Sequence, residues 1–286
     1  MIFQDGGSVS TFLTAYISVI IFVFGAVIGS FLNVLIYRLP IGMDFKKGNS
    51  MCPKCGHQLN WKDLFPLFSW LFLGGKCRYC KAPISKQYPI VEAMNGACYV
   101  LADIFLCGGA SVDGPTMAFG NLGLSLKLVG YMLFFSALIV VSWIDFKHQI
   151  IPDSMWVAIL VGGVFILGDR LITDSFTKDW IISRVIGFFA VSGMFFLVAL
   201  ITGGKAMGGG DIKLMAAVGF VLGWKAVLIS LFMSAIFGVL FSIGRKILCK
   251  KEMKGVVPFG PFLAMGSAVC AFIGEGIFNA YVGLFM

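Results

Sequence analysis

Charge is scarce in this chain. Only 13% of its 286 residues are Asp, Glu, Lys or Arg, while 59% are hydrophobic and the mean hydropathy is +0.94. That leaves too little polar surface to clothe a water-soluble globule, so the sequence reads as a polytopic membrane protein. Histidine is scarcer still. His57 and His148 are the only two, and neither offers a plausible Ser-His or Cys-His pair. No basic residue precedes the first apolar stretch, which follows Asp5 and runs uncharged from Gly6 to Tyr37. A cleaved signal peptide begins basic and has a shorter apolar core, so this stretch is expected to be a span. An internal repeat and a dinucleotide-type glycine fingerprint are also missing.

What is present is a series of membrane-length apolar segments, at about 11–37, 89–107, 123–144, 154–168, 180–202, 226–244 and 260–284, with a shorter one at 212–223. The expected fold is therefore all-α, with about eight transmembrane helices in the lipid bilayer. The sixth has only about a dozen residues where roughly 20 are needed to cross. With the N-terminus outside, residues 38–88, 145–153, 203–213 and 245–256 face the cytoplasm, and these hold 17 of the 22 Lys and Arg residues. That asymmetry is the positive-inside rule. The formal net charge of +8 is thus mostly a topology signal and implies neither nucleic acid nor an acidic substrate. The segments 108–122 and 169–179 are poor in basic residues and read as extracytoplasmic linkers. The chain divides into residues 1–88, a first transmembrane helix plus a hydrophilic loop, and residues 89–286, a bundle of seven spans.

That loop carries Cys52-Pro53-Lys54-Cys55 and, after 21 intervening residues, Cys77-Arg78-Tyr79-Cys80. Two thiolates two residues apart in a tight turn converge on one ion, and a second such turn completes a tetrahedral shell, as in zinc ribbons. A loop this small cannot build its own core, so bound Zn2+ would supply its folding energy. Disulfides are the alternative, disfavoured by a reducing cytoplasm. Four thiolates leave no open coordination position, so the zinc is expected to be structural, with His57 a bystander. Cys98, Cys107, Cys249 and Cys270 stand singly in or near spans, where cysteine behaves as a small hydrophobe.

Ionisable residues at spans are costly and therefore candidates for function. Glu92, Asp103, Asp145, Asp153, Asp211 and Glu275 qualify, and they are not equal. Asp145 closes the third span, and Asp211 opens the sixth after Gly208, Gly209 and Gly210, whose missing side chains let a peptide backbone approach. Two carboxylates sharing one water can hydrolyse an amide: the ionised one takes a proton from water and the neutral one polarises the carbonyl. The bland alternative is that both merely cap helices, since Asp at a helix N-terminus is ordinary. Asp153 reads as a cap or a supporting group, and Lys205 and Lys213 as residues able to hold the pair's charge or to snorkel. The helix ends place the proton on Asp145, at a negative C-terminus, and the charge on Asp211, at a positive N-terminus.

These residues together resemble the type IV prepilin leader peptidases, which are bifunctional peptidase and N-methyltransferase enzymes. The resemblance spans nearly the whole chain. It rests on Gly29-Ser30-Phe31-Leu32-Asn33-Val34 with Arg38 and Pro40, the paired cysteine knuckles, Tyr88-Pro89-Ile90-Val91-Glu92, the segment from Asp145 to Asp153, and Gly208-Gly209-Gly210-Asp211-Ile212-Lys213. It implies that Asp145 and Asp211 are a catalytic pair of the glycine-x-glycine-aspartate class. It implies cleavage of a short basic leader from prepilins or pseudopilins at the cytoplasmic face of the bacterial inner membrane. It also implies methylation of the new N-terminal amine with S-adenosylmethionine, an activity associated with residues 1–88. Two other readings are a transporter using the aspartates for protons, which would show broken helices in paired halves, and a protease without methylation.

Overall fold

The computed structural model describes residues 6–44, 50–107, 122–173, 177–205, 207–249 and 258–284. Its helices are α1 (Gly6–Arg38), α2 (Phe68–Phe72), α3 (Gln87–Leu101), α4 (Leu122–His148), α5 (Asp153–Ile172), α6 (Lys178–Ile201), α7 (Gly209–Leu222), α8 (Trp224–Cys249) and α9 (Gly260–Gly283). Two isolated β-bridges are the only extended pairings among the described residues. The all-α reading holds. Among the described residues seven helices are long and apolar enough to cross a membrane: α1, α3 with the π-helical turn that follows it, α4, α5, α6, α8 and α9. The expected sixth span is indeed a helix, α7, but its 14 residues cover only about 21 Å of a hydrocarbon core of about 30 Å. The expected linker over 108–122 lies almost wholly outside the described residues, as does most of the expected loop over 245–256.

Contacts divide the chain into two compact units, residues 1–128 and 129–286. Within the first of them, α3 packs along α1. The pairing is antiparallel and close. A Cβ on Gly25 would lie 2.7 Å from the Cα of Gly96, and one on Gly29 would lie 2.7 Å from the Cα of Glu92. In lipid, where apolar side chains gain little by meeting one another, such small-residue seams are what let helices associate. Buried Asn95 donates to the Gly25 carbonyl at 2.7 Å, and Asn33 donates to the carbonyls of Gly29 and Tyr88, each at 3.3 Å.

In the second unit, α7 is the element around which the others are arranged, packing against α5, α6, α8 and α9. Leu214, Met215, Ala217 and Val218 are fully buried. Its partner α6 meets it backbone to backbone, with a Cβ on Gly187 or on Gly219 colliding with the carbonyl of the other. Helix α4 is the most enclosed long span, burying Phe134, Phe135, Val140, Val141 and Ile144 completely. Overpacking a tight seam costs on the order of 1–3 kcal/mol. Gly219→Val is therefore expected to lower the unfolding temperature of purified protein in detergent, whereas Gly244→Val, at a position with open space around it, should leave it within error.

Candidate active site and cysteine cluster

Asp145 lies three residues before the end of α4 and is 7% exposed. Its Oδ2 accepts a hydrogen bond of 3.0 Å from the backbone N–H of Gly260, 115 residues away. Gly260 is the first residue of α9, so its N–H is one of the amides that helix geometry leaves without an internal partner. The carboxylate and the helix end satisfy each other. The contact also fixes the residue type: a Cβ on Gly260 would sit 2.6 Å from that same Oδ2 and 2.9 Å from Cγ.

Asp211 is the third residue of α7 and is partly buried. Its carboxylate accepts from the backbone N–H of Gly208, the residue at the N-cap. Part of the capping reading is therefore real. Yet Asp211 also lies near enough to Asp145 for the two carboxylates to repel each other. The glycines preceding it do different jobs. Gly209 has open space around its missing side chain, and a Cβ on Gly208 would make only ordinary contact. Gly210 alone is required by packing, because a Cβ there would lie 2.9 Å from the Cβ of Ile151. Ile151 belongs to the short connection from α4 to α5, so this contact draws the start of α7 against the segment that follows Asp145.

The structure thus brings Asp145 and Asp211 together from opposite kinds of helix end, and it leaves Lys213 and Asp153 outside the pair. Lys213 Nζ bonds Asp153 Oδ1 at 2.7 Å, with both side chains at least half exposed, and lies over the Trp156 ring, whose indole N–H also donates to Asp153. Lys205 is exposed as well, Glu92 is buried and Glu275 is exposed. The helix-end argument for the proton also changes. The positive start of α9 offsets the negative end of α4 at Asp145, so helix ends alone do not say which of the two carboxyls holds a proton. Gly260 went unnoticed in the sequence although a signal existed: Gly260 and Pro261 open an apolar run, which marks a helix start.

The four cysteines of the loop converge. The sulfurs of Cys52, Cys55, Cys77 and Cys80 all lie within 4.8 Å of one another, with Cys52 Sγ and Cys80 Sγ 3.9 Å apart. None is in a disulfide. A tetrahedral S4 shell with metal–sulfur bonds of about 2.3 Å has sulfur–sulfur edges of about 3.8 Å, so the spacing suits such an ion. The two knuckles repeat one plan. Cys52 N–H donates to His57 O and Gly56 N–H to Cys52 O; Cys77 N–H donates to Ala82 O and Lys81 N–H to Cys77 O. The residue after each second cysteine, Gly56 or Lys81, is left-handed, with φ of +68° and +61°. Backbone N–H groups of Cys55 and Lys54 bring the Cys52 thiol down to about 7, which favours the thiolate that a metal needs. His57 stays outside, its ring against Tyr79 at 3.6 Å. A latch joins the knuckles to the turn at Trp61–Asp63: Arg78 Nε bonds Asp63 Oδ1 at 2.6 Å. Burial opposes ionisation of Asp63, but Arg78, the Asn60 amide and the Tyr79 hydroxyl hold its carboxyl below the usual range.

The profile of the Bacterial Peptidase A24 N-terminal domain matches residues 23–105, and that of the Type IV leader peptidase family matches residues 132–243. Proteins named prepilin leader peptidase/N-methyltransferase are similar along nearly the whole chain. The one from Aeromonas hydrophila is 31% identical, covering 93% of this chain and 94% of its own length. That from Bacillus subtilis is 32% identical over 92% and 97%, and that from Pseudomonas aeruginosa 30% over 90% and 91%. No solved structure matches the chain. With two adjoining profiles and full-length relatives on both sides of the same residues, the chain belongs to the type IV leader peptidase family.

Proposed function

We propose that this protein is a membrane aspartyl endopeptidase. It removes the short basic leader of type IV prepilins or pseudopilins at the cytoplasmic face of the inner membrane, and then N-methylates the new N-terminal residue. The meeting of Asp145 and Asp211 carries the peptidase reading. Asp145 has one oxygen tied to the Gly260 amide, leaving the other to meet a water. One carboxyl of the pair is ionised and takes a proton from the attacking water as its oxygen bonds the scissile carbonyl carbon. The other donates its proton to the carbonyl oxygen. Collapse of the resulting diol breaks the C–N bond, and the amine leaves with a proton returned by the pair. The orientation rests on the distribution of basic residues, which sets the N-terminus outside and the pair inside.

Residues 1–88 hold the part we associate with methylation. Cys52, Cys55, Cys77 and Cys80 would bind one Zn2+, which holds the two knuckles together and supplies folding energy. S-adenosylmethionine is the methyl donor that the family resemblance implies. The aromatic surface beside the knuckles does not fit it as it stands: the carboxylate there, Asp63, is engaged by Arg78 and Tyr79, leaving none for the ribose hydroxyls. No methyl-transfer step is therefore assigned to particular residues.

Asp145→Asn and Asp211→Asn are each expected to slow cleavage of a prepilin by at least ~100-fold while leaving the fold intact, with any methylation of a pre-cleaved substrate retained. Near wild-type cleavage by either variant would refute the paired-carboxyl mechanism. Gly260→Ala should lower kcat on the order of 100-fold with little change in KM, because the added methyl displaces the Asp145 carboxyl. An unchanged kcat would show that the amide contact does not position the carboxylate. For the cysteines, metal analysis of purified protein should find about one zinc per chain. Replacing Cys52 and Cys77 together by Ala should abolish it, and full retention of zinc by that variant would overturn the assignment.

A further inference from the structure

The first unit carries an apolar surface that the proposed chemistry does not use. Within twelve residues of chain, Trp61 is 74% exposed, Phe65 50%, Phe68 49%, Leu71 67% and Phe72 82%. All of these but Leu71 line an open cavity of about 440 Å3, with Lys62 and Arg78 also among its walls. Exposed apolar residues so concentrated mark a surface that meets something other than water.

What that surface meets is indicated by how the turn is tethered. Leu67, at the start of α2, has φ of +61°, unfavourable for a residue with a branched side chain. Its N–H donates to Glu92 Oε2 at 2.8 Å. Glu92 lies in the second turn of the span α3, where the Ser30 hydroxyl of α1 also bonds it. The Trp70 indole N–H donates to the Ile84 carbonyl just before α3. Side chains in a helix lean toward its N-terminus, so Glu92 holds Leu67 beside the first two turns of a membrane-crossing helix. The residues that follow Leu67 at once, Phe68, Leu71 and Phe72, are thus held beside the end of a span, where the bilayer begins.

We infer that the segment from Trp61 to Phe72 is a membrane-interface anchor, with its aromatic face in the headgroup and acyl boundary of the lipid next to α3. Trp and Phe favour that boundary, and Lys62 beside Trp61 and Arg78 beside the cavity suit anionic headgroups. The occupant is the bilayer itself. This role does not depend on whether the aspartate pair is catalytic. It assigns Glu92 a structural task, pinning the cysteine loop to the membrane surface through Leu67.

The test uses full-length protein in nanodiscs of phosphatidylcholine and phosphatidylglycerol. Phe72→benzoylphenylalanine, irradiated and digested, should yield phospholipid adducts roughly tenfold above those of Lys54→benzoylphenylalanine, placed on an exposed knuckle. Should Phe72 disturb folding when replaced, Trp61 provides a second readout. The emission lost in Trp61→Phe should be quenched by doxyl-labelled lipid and only weakly by iodide. Crosslinks from position 72 to a second copy, to a prepilin or to the chain itself in place of lipid would overturn the proposal, as would Trp61 emission quenched by iodide alone.

Discussion

A carboxylate inside an apolar helix bundle must find donors, and here they come from helix ends. Asp145 is met by the first amide of α9, and Asp211 by the amide at the N-cap of its own helix. Water could serve as donor, but it would leave the side chain free to rotate. A backbone amide fixed in a packed helix holds the carboxyl at a set position. Burying an ionisable group without such a partner costs several kcal/mol or changes its protonation, so the rest of the second unit is constrained to deliver these amides. Three helices must terminate at one place: α4 at its end, α7 and α9 at their beginnings.

Glycine is what makes that convergence sterically feasible. At Gly260 a methyl group would overlap the Asp145 carboxyl, and at Gly210 it would overlap Ile151. The same economy of volume governs the seams between helices, at Gly25 and Gly29 against α3 and at Gly187 against Gly219. With no water to expel, two helices in lipid gain stability mainly from close packing of their backbones and side chains. The contacts that place Asp211 therefore belong to the same class as those that hold the bundle together. Substitutions at the seams and at the site differ in where they act more than in how.

Much of this was legible in the sequence, and the exceptions have physical reasons. Hydropathy and charge located the long spans because lipid imposes a length and a composition on each of them. The paired knuckles were legible because metal geometry restricts cysteine spacing. Three features were not. Lys213 is two residues from Asp211 in the chain but turns to Asp153, since residues two apart on a helix point in different directions and local sequence does not say which carboxylate a lysine will meet. Gly260 is linked to Asp145 across 115 residues, a contact that only the tertiary fold creates. The apolar turn at Phe68–Phe72 is too short and too local for any periodic signal.

The length of α7 carries a consequence for the chemistry. It is joined to α8 through the single residue Gly223, at φ +82°, and Trp224 and Lys225 follow, with Lys225 lying over both the Trp224 and Phe278 rings. An aromatic and a lysine at the end of a helix are the usual markers of the headgroup level. With that end at one interface, a helix of about 21 Å stops roughly 9 Å short of the other. Asp211, in the first turn of that helix, is then carried short of the opposite surface, while Asp145 stands three residues from the end of the longer α4. In the proposed peptidase that depth suits a peptide bond close to an apolar segment, and a full-length sixth span would raise Asp211 to the surface.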